Sequence, residues 1–544
     1  MKNLPIGISD FKTLIENNYY YIDKTPFIEE VAKNVGQTFL FIRPRRFGKT
    51  LNMSMLKYFF DVEMKEENRK LFQGLYIENS PAIKEQGKYP VIFISMKEIK
   101  GSSFEELKIR LRTVISNLYN DFKGLRNSLD ERDMIRFKKL WYGETDADYI
   151  DSLNFLARIL KEYYNQKVVI LIDEYDAPLI TAYEYGYYNE ARNFFSALYS
   201  SVLKDNVNLQ TGVMTGIIRV AKAGIFSDLN NLKVNTILSE NYDDSFGLLE
   251  SEVEAALNYY GMEYNITEVK NWYDGYRFGN VEVYNPWSIL NYLEYKELGA
   301  YWIDTSGNYL IKDILKLADE EIFSKLNTLL TGEKIKEEIT GKSSLKDILD
   351  IHDVWELLLF SGYLTINEKI DRKTYTLRIP NEEVKEFFRD SFIEIAFGGG
   401  STFKRLIKSL LNNRIEEFEG NLQDILIKYM SFNDTSTIEK VYHNFILGLM
   451  IYLDADYKVT SNLESGFGRY DILIEPLDKK GRAFVLEFKT ADSEKKLEAR
   501  AEEGLRQIEK KKYYLTLKES GLTQITLLGM AFHKKLVKIK AKEI

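Results

Sequence analysis

The chain has 544 residues and a formal net charge of −8, with 45% apolar and 29% charged side chains, no cysteine and three histidines. That length exceeds what one hydrophobic core serves and suggests about three domains of roughly 150 residues each. The lack of cysteine excludes a disulfide scaffold, an iron–sulfur cluster, a thiolate zinc site and a cysteine nucleophile. His352, His443 and His533 are far apart and do not follow HExxH-type spacing, so any metal is expected to be held by oxygen. The first residues lack a basic start followed by an apolar stretch, and no run of about 18 apolar residues occurs; the expectation is a soluble cytoplasmic protein with no membrane partner. A negative overall charge confines any nucleic-acid contact to a local basic surface.

Taken in chain order, Thr38 to Ile42 is a short apolar run that predicts a strand, and Leu51 to Phe60 an amphipathic helix, with the turn Arg43 to Gly48 between them. Tyr89 to Met96, Lys167 to Asp173 and Leu209 to Gly216 are further candidate buried strands separated by helical patterns. Continuous apolar runs suit a parallel sheet covered on both faces, so residues 1–285 read as an α/β domain. Residues 286–428 read as a mostly helical middle domain, with a short strand at Lys373 to Pro380 and a hinge or turn at Gly398-Gly399-Gly400. Residues 429–544 read as helix, hairpin, helix and strand, the hairpin joining YDILIEP to RAFVLEFKT through Leu477 to Gly481.

Strand, tight loop and helix with Gly48-Lys49-Thr50 at the junction form a P-loop arrangement in which backbone N–H groups and the helix dipole face a polyphosphate. Lys49 is then expected at the terminal phosphates and the Thr50 hydroxyl on Mg²⁺. Arg43 stands where the motif usually has its first glycine, Pro44 removes an amide donor, and Arg45 and Arg46 are candidates to supply charge instead. In VVILIDEYDAPL, Asp173 at the strand end is the expected Mg²⁺ orienter and Glu174 the residue that polarises the attacking water; Asp176 reads as a solvated turn residue ahead of a third acid. In the next segment Thr215 is a candidate γ-phosphate sensor. Arg219 is either a stabiliser of transition-state charge or a surface loop arginine.

These motifs resemble the bacterial and archaeal AAA-ATPase-like proteins that carry a PD-(D/E)XK nuclease domain at the C-terminus. LPIGISDF, YIDKTPFI, RPRRFGKT, LIDEYDAPL, TGIIRVAKAGIFSDLNNL, WYDGYRF and VYNPWSIL carry the likeness over roughly the first 290 residues. Within that family the arginine at position 43 is part of the pattern. WYDGY, from Trp272 to Tyr276, reads as packing or interface rather than catalysis.

In the last domain Asp471 stands on one strand and Glu487-Phe488-Lys489 on the next. Strand periodicity places Glu487 and Lys489 on one face and Leu486 and Phe488 on the other. Asp471 beside Glu487, with the Phe488 carbonyl, makes a hard-oxygen pocket suited to Mg²⁺ or Mn²⁺, and Lys489 is placed to orient water or stabilise a pentacovalent phosphate. The resemblance implies two more residues on flanking helices: Glu439, completing the metal site, and Gln507, touching the scissile phosphate. Lys510-Lys511-Lys512 with Arg469 and Arg506 either track a phosphate backbone or form a solvated helix face. The expectation is an α/β protein: a P-loop NTPase sheet, a helical middle domain and a C-terminal restriction-endonuclease-like domain. It implies ATP and Mg²⁺ (or Mn²⁺) as cofactors and an ATP-regulated nuclease acting on nucleic acid, DNA ahead of RNA, with oligomerisation open. The alternative is a nucleotide-dependent binding switch whose C-terminal domain does not cleave.

Overall fold

Five strands build the first sheet: β1 (Thr38–Ile42), β2 (Val91–Ser95), β3 (Val168–Asp173), β4 (Leu209–Gly216) and β5 (Leu232–Asn235). All pairings are parallel and the order is β2-β3-β4-β1-β5. Every residue of β1 and β3 is buried, as two-sided cover by helices requires. Because the strands run the same way, their carboxyl ends meet at one edge, with Ile42 beside Gly216 and Ile172 beside Met214. Ligands of open α/β sheets bind outside that edge.

This computed structural model describes residues 1–34, 36–218, 231–302, 320–330, 332–341, 354–397, 400–429, 439–450, 453, 457–461, 464–465, 468–512 and 514–544. The chain forms two units, Met1–Ser306 with Lys336–Val384, and Gly307–Ile335 with Lys385–Ile544. In the first, the hairpin β6 (Tyr276–Phe278) and β7 (Val281–Val283) precedes the helix Pro286–Tyr295. A three-stranded sheet follows, ordered β8-β10-β9 from β8 (Ile335–Glu338), β9 (Thr365–Lys369) and β10 (Thr374–Arg378). Gly398 and Gly399, expected in a hinge or turn, lie outside the described residues, while Gly400 opens the helix Gly400–Leu411.

The second unit holds a mixed sheet, β11-β14-β15-β16-β17, from β11 (Tyr457–Ser461), β14 (Ile472–Pro476), β15 (Ala483–Thr490), β16 (Ile525–His533) and β17 (Leu536–Glu543). Only β15 and β16 pair in parallel; a small ribbon of β12 (Glu464–Ser465) and β13 (Gly468–Arg469) stands apart. The turn from β14 to β15 is tied by Asp478, whose carboxylate accepts the Lys480 amide at 3.0 Å. Alternation decides what lies on each face of β15. Phe488 meets Phe532, which stacks at 4.5 Å on Tyr442 of the helix Glu439–Met450. Glu487 and Lys489 turn to the opposite face, under the helix Leu497–Lys511. No helix among the described residues is long and apolar enough to cross a membrane.

Candidate functional site

At the carboxyl edge of the first sheet the chain turns from β1 into the helix Lys49–Phe60 through a loop with two left-handed residues, Arg46 (φ 68°) and Gly48 (φ 83°). Glycine tolerates that geometry freely and arginine does not, so the loop holds Arg46 against a local preference. Lys49 is buried and donates to the carbonyls of Arg43 at 2.9 Å and Pro44 at 2.7 Å. Burial pushes its ammonium down to about 8, an effect that the acidic groups Glu174, Asp176 and Asp173 oppose.

Thr50 donates to Asp173 at 2.8 Å, and Thr215 at the end of β4 donates to the other oxygen of the same carboxylate. Two hydroxyls, one from the first turn of the helix Lys49–Phe60 and one from the end of β4, thus fix the buried Asp173. Thr215 also accepts the Glu174 amide at 3.3 Å. Glu174 itself is half-buried with φ 52°, and burial, then the adjacent Asp173, raise its carboxyl above the usual range. Arg45 is half-buried, and its carbonyl accepts the Trp302 indole N–H at 3.2 Å. Arg46 is exposed, its guanidinium 4.0 Å from the ring centre of Trp287. Arg219 lies outside the described residues.

The second cluster forms on the other sheet. β14 and β15 run antiparallel with Ile472 opposite Leu486, so one residue further Asp471 falls opposite Glu487, on the same face. The Asp471 carboxylate accepts the Phe488 amide at 2.7 Å. A strand residue sends its N–H and C=O to the same side, so the Phe488 carbonyl also points toward Asp471. Glu487, 3% exposed, accepts Lys489 Nζ at 2.9 Å, and Gln507 donates to the same carboxylate oxygen. Lys489 is 9% exposed, so this ion pair is largely out of water, where Coulomb attraction is strong and an unmatched charge costly. Glu439 opens its helix, but its side chain lies outside those described. Among the described residues no three His, Cys, Asp or Glu side chains gather as a metal set. Lys510 and Lys512 are exposed, and Arg506 pairs with Glu502 at 2.8 Å.

Residues 5–226 match the family model of the predicted AAA-ATPases, and residues 437–542 that of the PD-(D/E)XK nuclease superfamily. Residues 5–226 are thus AAA-ATPase-like, and residues 437–542 form a PD-(D/E)XK nuclease-superfamily domain. It is also similar to an uncharacterized protein in the vnfD 5′ region of Azotobacter chroococcum mcd 1, at 27% identity over 401 residues, 72% of this chain and 70% of the relative.

Two residues of the AAA-ATPase-like domain matter in ways local pattern does not reveal. Asp176, expected as a solvated turn residue, is 1% exposed and accepts the amides of Ile217 and Ile218 at 2.7 and 2.8 Å. It anchors the chain just beyond β4, a partner 41 residues away. Arg43 is fully buried: it donates to the carbonyls of Ile42, Asn235 and Tyr242 at 2.9, 3.1 and 3.0 Å, and lies 5.1 Å from the rings of both Phe246 and Phe278. A lone arginine in place of a glycine was the available signal. In the PD-(D/E)XK domain the unexpected residues are Gly504 and Gly529, which let the Gln507 helix approach β15 and β16.

Proposed function

We propose that the protein is an ATP-regulated, Mg²⁺-dependent nuclease that hydrolyses phosphodiester bonds of nucleic acid, DNA ahead of RNA. The observation that carries this reading is the gathering of Asp471, Glu487, Lys489 and Gln507 about one step of the β14–β15 pair. Two carboxylates and a strand carbonyl are hard oxygen donors, which fit Mg²⁺ or Mn²⁺ better than a softer ion. Such an ion, when bound, acidifies a coordinated water and polarises the phosphate.

The chain's own groups do the rest. Asp471 and Glu487, with the Phe488 carbonyl, hold the ion; Glu439, by resemblance, completes the set. Lys489 places a buried positive charge beside the negative charge that builds on phosphorus. Gln507 fixes the Glu487 carboxylate and faces the scissile phosphate. In the ATPase-like domain Gly48 and Lys49 cradle the polyphosphate, with Arg45 and Arg46 adding charge. Thr50 and Asp173 hold Mg²⁺, Glu174 orients water, and Thr215 with Arg219 reports the γ-phosphate. ATP then regulates cleavage by binding one conformational state of the protein better than another.

The test is incubation of the purified protein with single-stranded DNA, duplex DNA and RNA, each with Mg²⁺ or Mn²⁺ and with or without ATP. Cleavage that Asp471→Asn abolishes supports the reading. Absence of products from every polymer under both metals overturns it, and nucleic-acid binding without products points to the non-cleaving switch.

A further inference from the structure

The three loop arginines are used differently. Arg43 is consumed by the fold, its two terminal nitrogens donating to backbone carbonyls. Arg46 meets Trp287, 4.0 Å from the ring centre, and among the described residues it has no ion pair or side-chain hydrogen bond. Burial and then the neighbouring Arg45 lower its guanidinium, and Glu174 opposes them.

The ring that carries it is rigidly placed. Trp287 occupies the first turn of the helix Pro286–Tyr295, where its amide donates at 2.9 Å to the side chain of the fully buried cap Asn285. Its indole N–H donates to the Tyr301 carbonyl at 3.1 Å, and the Asn285 amide reaches the carbonyl of Tyr273 in the WYDGY segment at 3.2 Å. A guanidinium held by a ring face keeps the N–H donors in its own plane for another acceptor, in the forked geometry that suits phosphate. Stacking also restrains a long side chain whose ordering would otherwise oppose binding.

We propose that Trp287 is a positioning residue of the nucleotide site, holding Arg46 ready for the polyphosphate. The proposal rests on the reading of the loop as a nucleotide site. The test is a double-mutant cycle on the full-length protein, with Mg²⁺-ATP affinity measured for wild type, Arg46→Gln, Trp287→Met and the double variant. Each single change is expected to weaken binding about tenfold, and the double change also about tenfold rather than a hundredfold, because one interaction is lost each time. Trp287→Phe, which restores a ring face, is expected to stay within about threefold of wild type. Additive losses, or a Trp287→Met variant that binds ATP like wild type, overturn the proposal.

If Trp287→Met does not fold, tryptophan emission decides. ATP is expected to change the emission of wild type, and the change to be absent in both Trp287→Phe and Arg46→Gln. A change that survives in Arg46→Gln overturns the proposal. Wild-type protein with no affinity for ATP overturns the nucleotide reading and this inference together, which separates it from the case where ATP binds and the variants are silent.

Discussion

Asp471 does two jobs that substitution can separate. Its carboxylate accepts the Phe488 amide, a bond that an amide oxygen can also accept, and in the proposed nuclease it supplies the negative charge for an ion. Asp471→Asn is expected to abolish cleavage with the melting temperature unchanged. Asp471→Ala is expected to abolish cleavage and also cost about 1–3 kcal/mol, since it strips a buried strand amide of its acceptor; gel cleavage and thermal melts check both. Asp274 in WYDGY carries a pH dependence. Burial, its largest cause, lifts the carboxyl from 3.8 to about 6, while the Gly275 amide and Lys270, 3.8 Å away, oppose the rise. Below about pH 3 the folded and unfolded forms both hold the proton. As pH climbs to 6 the unfolded carboxyl ionises first, so the folded state loses stability, by about 3 kcal/mol at most. Asp274→Asn should therefore raise the melting temperature at pH 7.5 and leave it unchanged at pH 3; an equal gain at both would refute the assignment. Residues were legible in the sequence where a local period or a motif fixes their placement. Glu487 and Lys489 share a face because strands repeat every two residues, and they lie 2.9 Å apart. Arg43, Asp176 and Trp287 were not legible in the same sense, because their partners are 192, 41 and 241 residues away and no local period encodes such a contact.

At the scale of elements, the position of Gln507 depends on how closely its helix lies on the sheet. A Cβ at Gly529 would stand 2.1 Å from the Ala501 carbonyl and 2.4 Å from the Leu505 amide, both backbone atoms of that helix. A Cβ at Gly504 would meet its nearest neighbour, the Glu487 carbonyl, at 3.3 Å. Gly529→Ala must therefore push the helix outward, while Gly504→Ala needs only a small adjustment. The expectation is a loss of about 2–3 kcal/mol and most of the cleavage activity for Gly529→Ala, against less than about 1 kcal/mol for Gly504→Ala; denaturant melts with parallel cleavage assays read both. The edge strand β17 shows the same reliance on a helix. Gln423 and Glu419, one turn apart on the helix Ile415–Tyr429, accept the amides of Val537 and Ile539 at 3.0 and 2.7 Å. Capping an open edge in this way removes a template for strand pairing with another chain. Strand runs such as 39–42 and 168–172 announced themselves by continuous apolar composition. The helix-to-sheet closeness did not, since a glycine in a strand reads equally as a bulge, a bend or a close approach until its neighbour is known.

At the scale of the whole molecule, regulation by ATP is a thermodynamic claim and not a property of either site alone. The loop before Lys49 belongs to the first unit and the Asp471 cluster to the second. If ATP alters the affinity of the second unit for nucleic acid by some factor, nucleic acid must alter the affinity of the first for ATP by that same factor. The measurement calls for protein that binds without cutting, which Asp471→Asn supplies, and a non-hydrolysable ATP analogue so that turnover does not disturb the equilibrium. Both affinities are then determined with and without the other ligand, at one fixed salt concentration because phosphate contacts are salt-dependent. For ATP regulation exerted through binding, the two ratios should agree and exceed about fivefold. Lys49→Ala should collapse both ratios to one by emptying the loop, without altering the affinity for nucleic acid alone. Ratios of one in the Asp471→Asn protein, with both ligands bound, would leave the two activities sharing a chain but no coupling free energy, and the regulatory half of the reading would fall while the nuclease half stood.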